Sequence, residues 1–207
     1  MDVIQETINK STCILLPSGR DYEHCADVLK DVFAITVPEF LDRALVAHAT
    51  GRVFIKVKSR DVPMLIQNGY GDIGLAYTDV CQEKIIDTSP IAYETIGNSQ
   101  LAFSLLFPKE KEEQLKQRMH NEGLPPLIVA TAYPTVFENH MKRMVNEGKV
   151  FNIKLSPTVP SGSVEAMVAL GVADIVADVV NTGVTADANN LAPVRLMDIS
   201  PALVYRK

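Results

Sequence analysis

An apolar, β-branched run ends at Val180, and the chain then reads Asn181-Thr182-Gly183-Val184-Thr185. Small hydrogen-bonding residues around one glycine are what a phosphate cradle needs. If residues 174–180 form a buried strand, its carboxyl end delivers this loop to the rim of a sheet, where open α/β folds bind ligands. Consecutive backbone N–H groups can converge there on an anion. Gly183 can take a positive φ and let a phosphate approach closely, and the hydroxyls of Thr182 and Thr185 add donors. Asp178 is suited to accept hydrogen bonds from sugar hydroxyls. A phosphate cradle beside a carboxylate fits a ribose 5-phosphate. A plain surface turn uses the same residue types, and the pattern leaves both readings open.

Two further stretches could bind anions, and a third is explained by capping. Pro17-Ser18-Gly19-Arg20 follows the first apolar run, so Arg20 could grip phosphate oxygens bidentately while Ser18 and Gly19 offer amides at a helix start. Residues 56–63 (KVKSRDVP) bring Lys56, Lys58 and Arg60, with Asp61, to the end of another strand pattern. Cations at a helix start oppose the helix dipole unless an anion is bound. Ser161-Gly162-Ser163-Val164-Glu165 precedes a helical pattern, and capping alone accounts for Ser163 and Glu165.

The elements that must position these residues alternate. Strand patterns cover 12–16, 53–58, 72–77, 100–107, 127–130, 150–155 and 174–180, with a last strand near 192–197. Helical patterns cover 22–33, 59–69, 109–123, 134–146 and 161–171, while 34–52 has no clear period. Strands interleaved with helices imply an α/β fold with largely parallel pairing. Residues 64–77 and 166–179 share one plan: an apolar helix, Gly69 or Gly171, then Asp72 or Asp174 and a strand. Tight helix-to-strand turns favour this pattern, and its repetition suggests two similar lobes.

The 207 residues suffice for one large domain or two lobes. A net charge of −5, with 47% hydrophobic and 22% charged residues, argues against nucleic acid or an anionic membrane as the main partner. No apolar run reaches membrane-spanning length, and the N-terminus lacks the basic-then-apolar pattern of an export signal. Cys13, Cys25 and Cys81 suggest buried free thiols in a cytoplasmic protein. His24, His48, His120 and His140 form no metal-like cluster and are expected on exposed helices or loops.

Residues 161–191 (SGSVEAMVALGVADIVADVVNTGVTADANNL) resemble the signature region of the ATP phosphoribosyltransferase family. Gly162, Ser163, Glu165, Gly171, Asp174, Asp178, Val180, Thr182, Gly183, Thr185, Ala188, Asn189 and Leu191 fall on its pattern. Residues 15–20 (LLPSGR) look like the family's Pro-Lys-Gly-Arg turn, 60–80 like its Asp-Val-Pro segment with Asp72, and 130–134 like its Ala-Thr-Lys-Tyr-Pro.

The resemblance implies two Rossmann-like α/β lobes similar to a type II periplasmic binding protein, with the active site in the cleft between them. The expected lobes are 1–98 plus 186–207, and 99–185 with the phosphoribosyl loop. It implies attack of adenine N1 of ATP on C1 of phosphoribosyl pyrophosphate, the first step of histidine biosynthesis. Magnesium would ride on the pyrophosphate, with no metal ligands from the protein. Arg20 and Lys58 become the catalytic cations. Ser18, Gly19, Arg60, Asp72, Ser163, Glu165, Asp178, Asn181, Thr182, Gly183, Val184 and Thr185 become substrate-binding residues. The chain ends soon after its last strand pattern, as in the family's short form, which implies a homodimer and a regulatory subunit resembling histidyl-tRNA synthetase. The sequence departs from the family pattern at Ser18, Ala132 and Thr78, each in place of a lysine, at Lys58 for an arginine, at Ala186 for a leucine and at Asn190 for a glycine. These departures keep open a second reading, a non-catalytic or altered-specificity relative that binds a phosphoribosyl or nucleotide ligand.

Overall fold

The computed structural model describes residues 2–85, 89–149 and 151–207, apart from the side chains of Asp2, Val3 and Arg20. The chain divides into two compact units, Met1–Ser99 with Ser200–Lys207, and Gln100–Ile199. Each is a mixed sheet with helices.

In the first unit the strands are β1 (Cys13–Pro17), β2 (Val46–Ala49), β3 (Arg52–Val57), β4 (Ile73–Tyr77), β5 (Ile91–Thr95) and β11 (Pro201–Arg206). Their order is β2-β3-β1-β4-β11-β5. β1 runs parallel to β3 and β4, whereas β11 is antiparallel to β4 and β5. The carboxyl ends of β1, β3 and β4 therefore share one rim. Helices α1 (Asp2–Lys10), α2 (Tyr22–Phe33), α3 (Val62–Gln67) and α4 (Thr78–Lys84) complete the unit among the described residues. Leu15, Ala76, Ala202 and Val204 pack with Val62, Ile66 and Val80 in one core. β2 arises within the aperiodic stretch 34–52: Thr50 (φ 50°) and Gly51 (φ 76°) form a two-residue hairpin turn into β3, the geometry that suits the twist of paired strands.

The second unit contains β6 (Ala102–Pro108), β7 (Leu127–Thr131), β8 (Ile153–Leu155), β9 (Ile175–Val180) and β10 (Leu191–Asp198). Their order is β10-β6-β9-β7-β8, with β7 parallel to β8 and β9 and β6 antiparallel to β9 and β10. Its helices are α5 (Glu112–Met119), α6 (Pro134–Asn146), α7 (Ala166–Ala169) and α8 (Val184–Ala188). Residues 186–199, grouped with the first lobe on sequence, belong to this unit because β10 pairs along β6; the chain returns to the first unit at Ser200. The pattern at 161–171 yields only the short α7, since Ser163 takes a left-handed conformation (φ 49°) that a helix cannot include. Val150, the expected start of β8, lies outside the described residues.

His140 departs from the expected exposure. It is buried in α6 with Nδ1 2.8 Å from an Arg143 nitrogen, and burial followed by the Arg143 charge lowers its pKa. Cys25 and Cys81 are buried, Cys13 is half-buried, and all three are free thiols. Among the described residues no helix is long and apolar enough to cross a membrane.

Candidate functional site

The loop after β9 has the form its residues suggest. β9 ends at Val180 opposite Ala102 of β6. Asn181 and Thr182 are exposed, and Gly183 turns the chain with φ 77° as the residue preceding α8. A left-handed φ costs an L-residue about 1–2 kcal/mol, which explains glycine here. A Cβ placed on Gly183 would meet nothing within 4 Å, so the space over the loop is open. The first amides of α8 have no carbonyl one turn earlier to bond, and no side chain among the described residues caps them. Ala186, buried at 3%, anchors the short helix below the loop.

The other motifs of this unit meet the same core. Val164 of the Ser163–Glu165 segment packs with Ala132, Ala186 and Leu191. The strained Ser163 and the adjoining Glu165 are thus held by a buried neighbour between them, on the core that also holds α8. Asp178 is half-buried on β9, opposite Ser104 of β6. Lys109 pairs with Asp187 of α8; that hydrogen bond, then the lysine charge, lowers the Asp187 pKa.

In the first unit, Ser18, Gly19, Lys58 and Arg60 come to one rim. The Ser18 amide donates to Val57 O at 2.7 Å, joining the turn after β1 to the end of β3. Gly19 has φ 85° and open space at its Cβ position. The backbone of Arg20 lies in the 3-10 turn Gly19–Asp21, and its side chain lies outside the described part of the structure. Lys58 is exposed and forms no ion pair among the described residues. Beside it, Ser59 Oγ is buried without a hydrogen-bond partner among the described residues, as is Nε2 of His24, whose ring stacks on Tyr77 at the end of β4. His24, expected on an exposed helix or loop, is half-buried.

Asp72 is corrected. It precedes β4, at the amino end of the parallel strands, and its carboxylate accepts hydrogen bonds from the Thr12 amide (2.8 Å), the Thr12 hydroxyl (3.0 Å) and the Cys13 amide (2.8 Å). Cys13 and Ser18 are five strand steps apart, roughly 16 Å at about 3.3 Å per residue. Asp72 therefore ties β4 to β1 at the end away from the Ser18 rim. Asp174 repeats the device: it accepts from the Ile128 amide at 2.8 Å and pairs with Arg118. The Tyr70 amide bonds Leu65 O and the Val172 amide bonds Met167 O. Both copies are thus helix stops closed by a left-handed glycine. The repeated sequence plan is a repeated structural joint.

Several departures from the family pattern acquire local reasons. Thr78 bonds Ser200 twice: its amide donates to Ser200 O at 2.9 Å, and its hydroxyl accepts from the Ser200 amide at 3.1 Å. Ala132 is a buried core residue. Asn190 holds φ 55°, a conformation asparagine tolerates better than most non-glycine residues. Among the described residues no three His, Cys, Asp or Glu side chains group to hold a metal.

Comparison with known proteins follows the same lines. The model of the ATP phosphoribosyltransferase (HisG) family matches residues 58–207, which include every candidate site residue except Ser18, Gly19 and Arg20. The chain is 30% identical over 194 residues to an ATP phosphoribosyltransferase of Pyrococcus furiosus, covering 93% of this chain and 87% of that protein. It is similar in structure to a chain of the ATP phosphoribosyl transferase (HisG:HisZ) complex from Thermotoga maritima, with TM-score 0.63, 25% identity, and coverage of 93% and 86% of the two chains. An ancestral amino acid-binding protein, a precursor of cyclohexadienyl dehydratase, matches with TM-score 0.53 at 14% identity over 99% of this chain and 85% of that one. That likeness concerns the fold alone and agrees with two binding-protein-like lobes.

Proposed function

The chain belongs to the ATP phosphoribosyltransferase family, and on that premise we propose how its residues divide the work of phosphoribosyl transfer to ATP, the first step of histidine biosynthesis. In this glycosyl transfer, adenine N1 forms a bond to C1 of phosphoribosyl pyrophosphate as the bond from C1 to the pyrophosphate oxygen breaks. The ring nitrogen attacks with a free lone pair, so no general base is needed. The ribosyl 5-phosphate sits on the amides of residues 182–185, with hydroxyls of Thr182 and Thr185 adding donors and Asn181 at the entry to the turn. Val184 contributes its amide, and Asp178 accepts from ribose hydroxyls. Ser163 and Glu165 adjoin this loop through their shared core and line the substrate.

Negative charge grows on the departing pyrophosphate, so fixed cations there stabilise the transition state more than the ground state. Arg20 and Lys58 take that role, with Arg60 and the amides of Ser18 and Gly19 orienting the phosphates. Magnesium, when bound to the pyrophosphate, would neutralise part of the same charge. A regulatory subunit is part of this reading, since the similar Thermotoga maritima chain was solved in a HisG:HisZ complex; so are a homodimer and a cytoplasmic location.

The observation that supports the reading most is Gly183: a left-handed residue with open space at its Cβ position, leading into the first turn of α8, which no side chain among the described residues caps, at the end of a core strand. The test is an absorbance assay of the product with ATP, phosphoribosyl pyrophosphate and magnesium, with and without the regulatory subunit. Turnover in either arm is expected. Phosphoribosyl pyrophosphate binding by calorimetry, with no product in either arm, would transfer the site to the altered-specificity reading.

A further inference from the structure

Lys56 lies on β3 opposite Leu16 of β1, one residue before the Val57–Ser18 hydrogen bond. Its ammonium sits 4.1 Å from the ring centroid of Tyr22 and 4.0 Å from that of Phe40. The two rings meet edge to face at 5.8 Å, with planes at 89°. Tyr22 opens α2 directly after the turn Gly19–Asp21, so the clamped cation faces the same rim as Ser18, Gly19 and Lys58. Lys56 is half-exposed and forms no ion pair among the described residues.

The choice of partners is informative. A carboxylate would hold the ammonium but neutralise it, and would compete with any incoming anion. Two aromatic faces fix the ammonium by cation–π attraction and leave its full charge and at least one N–H direction available. Lys56 also stands near the first turn of α2, where a helix favours anions over cations. Asp21 and Glu23 stand at that helix start, yet among the described residues Lys56 forms an ion pair with neither, which leaves its ammonium open to a bound phosphate. The nearby Lys58, likewise without an ion pair among the described residues, is a second cation at this rim.

We propose that Lys56, held between Tyr22 and Phe40, is a further phosphate-binding residue of this site, gripping the polyphosphate of one of the two substrates. This rests on the transfer reaction proposed above. Residue 18 is a serine, and Lys56 brings a positive charge to the rim that the serine does not.

The test uses Lys56→Met, which fills the space between the rings with a flexible apolar chain, and Lys56→Arg, which keeps a cation that stacks on aromatic faces. KM for ATP and for phosphoribosyl pyrophosphate is measured separately, alongside the melting temperature. Lys56→Met is expected to raise one KM by roughly ten- to a hundredfold, the loss of one charge-assisted bond, with little change in melting temperature. Lys56→Arg restores it to within about threefold. Which KM responds identifies the substrate. Both KM values within twofold of the parent, whatever the melting temperature does, would reduce the clamp to a structural staple and overturn the proposal. If the parent protein itself turns nothing over, the transfer reading fails separately. Titration with inorganic pyrophosphate then decides Lys56: binding by the parent that is lost in Lys56→Met upholds it, and equal binding or none by either refutes it.

Discussion

Replacing Asp72 by alanine separates a structural joint from a substrate contact. The carboxylate accepts three hydrogen bonds. The one from the half-buried Cys13 amide, to a charged acceptor, contributes about 1.5–3 kcal/mol. The two from exposed Thr12 compete with water and add roughly 0.5 kcal/mol each. Asp72→Ala should therefore cost about 2.5–4 kcal/mol, or roughly 5–16 °C in Tm for a chain of this size. Burial opposes ionisation of Asp72, but the Cys13 and Thr12 amides, the Thr12 hydroxyl and the charge of Arg206 outweigh it and lower the pKa. A carboxyl lowered on folding gives stability that is present above its unfolded pKa, near 4, and lost as pH falls through the lower folded value. The gap in Tm between the two proteins should thus be constant above about pH 5 and close at lower pH. Calorimetric melts from pH 3 to pH 8 read this, and the KM for phosphoribosyl pyrophosphate should stay within twofold. An unchanged Tm together with a tenfold rise in KM would refute the reassignment and return Asp72 to the substrate.

Gly183→Ala meets no clash but must hold φ 77°, so it should lose about 1–2 kcal/mol; Gly183→Val should lose more and weaken phosphoribosyl pyrophosphate binding, and unchanged affinity by calorimetry would count against the cradle. Gly74→Ala places a Cβ 2.5 Å from Val62 Cγ1. It should destabilise by about 1–3 kcal/mol without altering either KM, and a denaturant melt equal to the parent would contradict the packing of α3 on β4. Burial, followed by the Asp21 charge, pushes the Cys25 thiol up to about 12, and burial with Asp79 raises Cys81. Ellman's reagent at pH 8 should therefore label neither quickly in the native protein, and rapid stoichiometric labelling of either would show that its core opens.

What the sequence by itself determined is local. The turn at Gly183, the helices Tyr22–Phe33 and Pro134–Asn146, and the helix stops at Gly69 and Gly171 depend on φ preferences and short-range hydrogen bonds that neighbouring residues set. The signature region alone makes the loop after β9 the leading candidate site. Tertiary structure decided the rest, because the deciding contacts lie far apart along the chain. β11 is buried through five successive residues and shows no alternation, so only its pairing with β4 and β5 defines it. β2 exists because a two-residue turn folds it back on β3. Asp72 looked like a binding residue in its motif, and became a strand clamp because its partners stand 59 and 60 positions away. Lys56 drew notice only as one of three cations, since the ring of Phe40 that fixes it comes from an aperiodic segment. Residue type set which chemistry was possible; the folded chain set which partner each group met, and the energy of a charge or a donor depends on that partner.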